Sequence, residues 1–129
     1  MKENQTQPII RVEAAKHGIV LYRNNVGVAY DERDVPVRFG LANESAQINE
    51  KIKSSDLIGI TPVLIRPHHV GCCFGVFTSI ECKHGDWVFR GTKREKAQQA
   101  WIDVILRNGG IAMFATNPET VLQEVSRWR

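Results

Sequence analysis

No uninterrupted apolar run in this sequence approaches the roughly 20 residues that a membrane-spanning helix needs, so a helical span is excluded. Cysteine is scarce: there are three, an odd number, and Cys72 and Cys73 are adjacent, which argues against a disulfide framework. The opening Met1-Lys2-Glu3-Asn4-Gln5 lacks the apolar centre of a signal peptide. A reducing cytoplasm is therefore the expected compartment. Internal repeats, low-complexity stretches and linker-like composition are also missing. Charge of one sign is barely in excess: 17 basic against 14 acidic residues leave a net +3. That balance permits an anionic partner without implying one. What remains is 129 residues, 43% of them hydrophobic and 24% charged, with a mean hydropathy of −0.25. These are the proportions of one compact domain, expected to span residues 1–129.

The periodicity predicts a helix over Thr6–His17. Ile10, Ala14 and His17 recur on one face with Ile9 beside them, Pro8 lies in the first turn, and Gly18 is the stop. Ile19–Tyr22 reads as a strand, and Val35–Leu41 as an edge strand because of Pro36. Ala42–Ser55 is nearly devoid of apolar residues and reads as a mobile surface loop with at most a short helical turn. Leu57–Ile65 and Cys72–Cys82 are expected to pair as an antiparallel hairpin through the Pro67–Gly71 turn. Lys93–Arg107 is strongly helical, with Ala97, Ala100, Trp101, Val104 and Ile105 forming one stripe. Gly109-Gly110 ends that helix, Ile111–Ala115 is a buried strand, and Thr116-Asn117-Pro118-Glu119 starts a last helix. The expected fold is α/β, a mixed central β-sheet flanked by α-helices.

Chemistry concentrates at Ser54-Ser55-Asp56, which opens one strand, and Glu81-Cys82-Lys83, which ends another. Side chains alternate along a strand, so Glu81 and Lys83 share a side while Cys82 faces away. In the expected hairpin Asp56 comes close to both. Two carboxylates and an ammonium at one place make a hard-cation site suited to Mg²⁺ or Mn²⁺. A cation there polarises a phosphoryl oxygen and acidifies water, while Lys83 offsets developing charge. The plainer reading makes Asp56 a strand cap and Glu81 and Lys83 a surface ion pair. Three charged residues at one end of very apolar strands weigh against it.

Five stretches carry a wider resemblance: Leu21-Tyr22-Arg23-Asn24-Asn25-Val26-Gly27, Arg38-Phe39-Gly40-Leu41, Ser54-Ser55-Asp56-Leu57-Ile58-Gly59, Ile80-Glu81-Cys82-Lys83, and Gln98-Gln99-Ala100-Trp101 followed by Gly109-Gly110-Ile111. In that order they resemble a stand-alone, phage-type VRR-NUC domain (virus-type replication-repair nuclease) of the PD-(D/E)XK nuclease superfamily. The resemblance implies a restriction-endonuclease-like core and a divalent-metal-dependent endonuclease. It makes Asp56 and Glu81 metal ligands, with the Cys82 carbonyl a third, and Lys83 and Gln98 catalytic. It also implies a metal-completing acid in the first helix, for which Glu3 aligns best and Glu13 is the fallback. Ser55 stands where the motif has proline. Stand-alone relatives resemble Holliday-junction resolvases, so a homodimer acting on branched DNA such as four-way junctions is expected. A monomeric flap- or end-processing nuclease and a non-catalytic DNA-binding module are the alternatives.

Other features divide between two readings. Arg90, Lys93, Arg94 and Lys96 form either a solvated helix face or phosphate contacts beside the cut. Arg23, with Asn24 and Asn25, offers further backbone contacts. Trp87 and Phe89 stack on bases or pack, and packing is the expectation; Trp101 and Cys82 are expected in the core. His68, His69, Cys72, Cys73, Cys82 and His84 match no zinc-ligand spacing and leave the histidines in an exposed turn. The Val35–Leu41 edge and the loop after it are candidate dimer surfaces.

Overall fold

The computed structural model describes residues 3–129, with side chains from Gln5 onward. Glu3 opens the first helix, but its side chain lies outside the described residues. The chain divides into two compact units, Met1–Gly59 and Ile60–Arg129.

In the first unit, helix α1 (Glu3–Lys16) precedes strand β1 (Val20–Arg23). The helix begins earlier than the periodicity predicts, leaving Pro8 inside it rather than in its first turn. It ends as expected at Gly18, whose φ of 76° suits glycine. Ile19 N–H reaches the Ala14 carbonyl at 3.0 Å and Gly18 N–H the Ala15 carbonyl at 3.1 Å, the paired bonds of a Schellman stop. The helix face differs from the expectation. Thr6, Gln7, Arg11 and Ala14 are the half-buried residues among those described, while Ile9, Ile10 and His17 are exposed. The reason is polar: Arg11 Nε donates to the Leu21 carbonyl at 3.2 Å and fixes the helix's rotation on β1.

Strand β2 (Gly27–Tyr30) pairs antiparallel with β3 (Pro36–Phe39), Gly27 opposite Phe39 and Tyr30 opposite Pro36. Of these two, β2 was not anticipated. The Asp31 carboxylate forms the turn between them, accepting from Arg33 N–H at 2.8 Å and Val35 N–H at 2.9 Å. Donation from Val35 and Arg33 holds this carboxyl below its usual range. The polar stretch that follows is more ordered than a loop: Ser45 caps a short helix, α2 (Ala46–Lys51). Before it, Asn43 is only 2% exposed. Its amide donates to the carbonyls of Gly27 (2.7 Å) and Phe39 (2.8 Å) and accepts from Arg38 Nη2 at 3.0 Å. Strand β4 (Leu57–Ile60) pairs with β1.

In the second unit, β5 (Thr78–Cys82) and β6 (Ile111–Ala115) run parallel, with Thr78 opposite Ile111 and Cys82 opposite Ala115. Parallel neighbours need a long crossover, which α3 (Lys93–Arg107) supplies. Helix α4 (Pro118–Val125) starts at an Asn117 cap and packs on β6. Ile60, Ile102, Ile105 and Ala112 form the core, with Phe77 and Phe114 against it. Gly110 lets the chain turn from α3 into β6, because a Cβ there would lie 2.8 Å from the Phe77 carbonyl oxygen. The buried stripe of α3 is also rotated from the expected one. Ile102 and Ile105 are buried, but Ala97, Ala100 and Trp101 are exposed, because the helix turns Glu95 and Gln98 inward to meet hydrogen-bond partners.

The class is α/β, but the sheet is not one central sheet. The described residues form three two-stranded sheets, β1-β4, β2-β3 and β5-β6. The expected hairpin between Leu57–Ile65 and Cys72–Cys82 is not among them. Pro62 has no N–H to continue a ladder, and β4 stops at Ile60. Between β4 and β5 lies only a short 3₁₀ turn (Pro67–His69), with Val63, Leu64, Ile65 and Val70 exposed. His68 sits exposed in that turn, as expected, while His69 is half-buried and its Nδ1 accepts from Arg66 N–H at 3.0 Å. No described helix is long and apolar enough to cross a membrane.

Removing the Asn43 amide should destabilise the first unit. Asn43→Ala takes a donor from the Gly27 and Phe39 carbonyls and one acceptor from the Arg38 guanidinium, whose Nε still reaches the residue-43 carbonyl, a cost of about 2 kcal/mol. Asn43→Asp should not restore it, because a carboxylate cannot donate to the Gly27 and Phe39 carbonyls. Urea denaturation of the three proteins checks both outcomes.

Candidate active site

Strand β5 alternates as its sequence requires. Ser79 and Glu81 are half-buried, Thr78, Ile80 and Cys82 exposed, and Lys83, the next residue, continues the inward side. Glu81 and Lys83 therefore emerge together at the carboxyl end of β5, as predicted. Cys82 does face the other way, but outward: it is an exposed free thiol rather than a core residue. The ladder continues past the strand through Lys83 N–H, which donates to the Ala115 carbonyl at 2.9 Å.

Helix α3 presents Gln98 between the two charges. Lys83 Nζ donates to Gln98 Oε1 at 2.8 Å, and Gln98 Nε2 donates to Glu81 Oε1 at 2.9 Å. Lys83 Nζ itself lies 3.7 Å from Glu81 Oε1. The amide's orientation follows from chemistry: an ammonium only donates and a carboxylate only accepts. Gln98 thus fixes the separation of the ion pair. The pair is not a loose surface contact, since the Lys83 side chain is 15% exposed against 38% for Glu81. Lys83 Nζ also lies 5.5 Å from the Trp87 ring centre and 5.7 Å from that of Phe114, near enough for cation–π attraction.

Those rings are held in turn. Trp87 and Phe114 lie 4.8 Å apart, and Phe89 closes the cluster 5.9 Å from Phe114. Trp87 and Phe89 pack here, as expected. Trp87 Nε1 donates to Glu95 Oε2 at 2.8 Å, while Glu95 Oε1 accepts from Thr92 N–H (3.0 Å) and Arg90 N–H (3.2 Å). Glu95 is 6% exposed. Donation from the Thr92 backbone, aided by the Thr92 hydroxyl, the Arg90 backbone and the Trp87 indole, outweighs burial and holds its carboxyl below the usual range. Sequence reasoning singled out the basic residues around it, Arg90, Lys93, Arg94 and Lys96, and not Glu95 itself. The signal was present: Thr92-Lys93-Arg94-Glu95 is a capping box ahead of an apolar helix.

A cleft of about 410 Å³ opens beside this set, lined by Ser79, Glu81, Arg94, Gln98 and Trp101 among others. Trp101 lines it rather than the core, its indole N–H donating to Ser79 Oγ at 2.9 Å. Of the basic cluster, Arg94 reaches the cleft, and the side chains of Arg90, Lys93 and Lys96 belong to exposed residues around the start of α3.

No protein-family model, curated protein or solved structure matches this chain. The site is therefore read from its own geometry.

Glu81, Lys83 and Gln98 are brought together within the second unit. Asp56 lies in the first unit, exposed just ahead of β4, where its carbonyl accepts from Asn24 N–H at 2.8 Å. The expected juxtaposition of Asp56 with Glu81 rested on the hairpin, and β4 instead pairs with β1 and β5 with β6. Among the described residues no group of three or more histidine, cysteine, aspartate or glutamate side chains could hold a metal. The donor chemistry at Glu81 still suits a hard cation: only Oε1 is hydrogen-bonded among the described residues, and Oε2 remains for a ligand. Glu13, the fallback acid, sits on the exposed face of α1 and pairs with Lys16 at 3.2 Å and His17 at 3.6 Å. Arg23 is exposed at the end of β1. The side chain of its neighbour Asn24 is engaged within the unit. Its amide donates to Ser54 Oγ (2.8 Å) and the Ser55 carbonyl (2.9 Å), tying the end of β1 to the segment that carries Asp56.

The Glu95 geometry fixes a pH dependence. A carboxyl lowered in the folded state contributes stability that is fully present above its ordinary value of 4.5 and is lost as pH falls through the lower folded value. Glu95→Gln turns an amide N–H₂ or a lone acceptor toward Trp87 and the two backbone donors, so one donor goes unmet. The variant should melt at lower temperature than the parent at pH 7, and the gap should narrow as pH drops below 4.5. Melting followed by tryptophan fluorescence from pH 3 to 7 measures it.

Proposed function

We propose that this chain is a Mg²⁺- or Mn²⁺-dependent, structure-selective DNA endonuclease built on the PD-(D/E)XK core of a VRR-NUC domain and working in the cytoplasm. The observation that carries the reading is the Lys83–Gln98–Glu81 chain of hydrogen bonds at the carboxyl end of β5. A solvated strand end has no need of a half-buried ammonium held by an amide and two aromatic faces. A site that must meet phosphoryl charge does.

In this reading Glu81 and the Cys82 carbonyl hold the cation, and Asp56 and Glu3 belong to the ligand set on sequence grounds alone. The bound cation supplies Lewis acidity to a phosphoryl oxygen and acidifies the attacking water. Lys83 sets its ammonium against the negative charge that grows on the phosphoryl oxygens during attack. Gln98 holds Lys83 Nζ and Glu81 Oε1 apart, so neither collapses fully onto the other. Arg94, on the cleft wall, takes a neighbouring backbone phosphate, and Arg90, Lys93 and Lys96 add charge without reading sequence.

The substrate in this proposal is branched DNA, and the working form is a homodimer, since paired nicks need two sites related by a twofold. Val35, Val37, Phe39 and Leu41, spaced by two along and beyond β3, are all exposed. They form an apolar row of the kind that self-association covers.

Incubation with a four-way junction, a flap and a linear duplex, with and without Mg²⁺ or Mn²⁺, tests the activity. Metal-dependent cutting of the branched forms is expected. Asp56→Ala, Glu81→Ala and Lys83→Ala should each lower it by about 100-fold or more with unchanged circular dichroism. Near-normal cleavage by any of the three at saturating metal removes that residue from the site. Binding without cleavage in every metal turns the reading to a DNA-binding module.

Light scattering over a dilution series tests the assembly. A dimer at micromolar concentration is expected, dissociated by Val37→Asp together with loss of junction preference. A monomer that still makes paired symmetric nicks overturns the dimer.

A further inference from the structure

A second cleft with a polar lining lies in the first unit, between α1 and β1. Its lining is Gln7, Pro8 and Arg11 from α1 and Arg23 from β1, around a volume of about 240 Å³. The arginines are positioned differently. Arg11 is half-buried, and its Nε–H is spent on the Leu21 carbonyl at 3.2 Å, which leaves its Nη groups for a ligand. Arg23 follows Leu21 by two residues on β1, so its side chain leaves from the same face. Among the described residues neither guanidinium has a carboxylate within ion-pair distance. The one acid of α1 with a described side chain, Glu13, is engaged with Lys16 and His17 on the exposed face.

Two cations facing one small cleft repel each other unless an anion joins them. Guanidinium groups match the oxygen spacing of phosphate in a fork, and the Gln7 amide adds a neutral donor. The volume falls below the roughly 300 Å³ at which small-molecule sites begin, so the cleft suits one phosphate group and not a whole nucleotide. We propose that Gln7, Arg11 and Arg23 form a phosphate subsite, occupied by a backbone phosphate of the DNA substrate. The phosphate chemistry stands on the cleft alone, and its assignment to DNA rests on the nuclease reading above.

Two measurements on the full chain separate these parts. In the first, inorganic phosphate is titrated while the arginine Nε–Hε resonances are followed by NMR. Arg11 is a good reporter because its Nε–H is held by Leu21. The Arg11 and Arg23 signals should shift together along one saturable curve, and Arg23→Gln should abolish it. In the second, binding of a labelled four-way junction is measured against salt in EDTA. Each phosphate contact contributes about 0.9 to the slope of log affinity on log salt, so Arg23→Gln should flatten the slope by about that amount. Arg11→Lys keeps the charge but loses the fork, so affinity should fall several-fold at unchanged slope.

If phosphate leaves both signals unmoved and Arg23→Gln keeps the parent slope, the subsite is overturned, while cleavage by the parent protein leaves the nuclease reading standing. If phosphate binds but the junction data do not change, the site serves free phosphate and the DNA assignment is overturned. If the parent neither binds nor cuts DNA yet saturates with phosphate, the nuclease reading falls and the phosphate subsite survives it.

Discussion

The arrangement around Lys83 depends on the carboxylate of Glu95. That one group takes the indole N–H of Trp87 and the backbone N–H groups of Arg90 and Thr92. It thereby stitches the start of α3 to the segment leaving β5. Trp87 is then fixed beside Phe114, and the two rings border the Lys83 ammonium. A buried carboxylate is costly unless its acceptor sites are filled, and here charge-assisted bonds fill them. Burial, capping and aromatic order all follow from this one contact.

Gln98 carries the second constraint. It is bonded to Lys83 and Glu81 at once, and it comes from the crossover helix of a parallel β5-α3-β6 unit. In such units the strand ends and the helix converge at the carboxyl edge, where α/β folds commonly bind ligands. Glu81 and Lys83 emerge there because of the period of two along β5. Gln98 faces them because α3 gives its inward side to Glu95, Gln98, Ile102 and Ile105. The helix sacrifices apolar burial of Ala97, Ala100 and Trp101 for two polar anchors, and the exposed indole then becomes a wall of the cleft.

The first unit is held on another principle. Among the described residues, the buried hydrophobic ones, Ile60, Ile102, Ile105, Ile111, Ala112 and Ala115, belong to the second unit. In the first, side-chain amides take over. Asn43 joins β2 to β3, and Asn24 joins the end of β1 to Leu41 and Ser54. Hydrogen bonds of this kind contribute modestly when made and cost more when one partner is lost. The unit is therefore specified by a few asparagines and by Arg11, residues that a hydrophobicity profile passes over.

Local chemistry determined much of this protein. The span of α3, the limits of β6, the Asn117 cap of α4 and the Gly18 stop are written in capping residues, apolar runs and glycines. Each involves neighbours only a few positions apart. The shared side of Glu81 and Lys83 follows from strand geometry alone, so that pair was legible too. Pairing partners were not. Cys72–Cys82 and Leu57–Ile65 are both apolar and β-rich, and nothing local tells a strand whether its partner precedes or follows it. The sheet chose β6 for β5 and β1 for β4. Helix rotation was equally illegible, because Arg11, Glu95 and Gln98 face inward only where a distant carbonyl, indole or carboxylate waits to receive them. A sequence records the donors and acceptors, whereas their meeting is a property of chain segments up to 31 residues apart brought within hydrogen-bond distance.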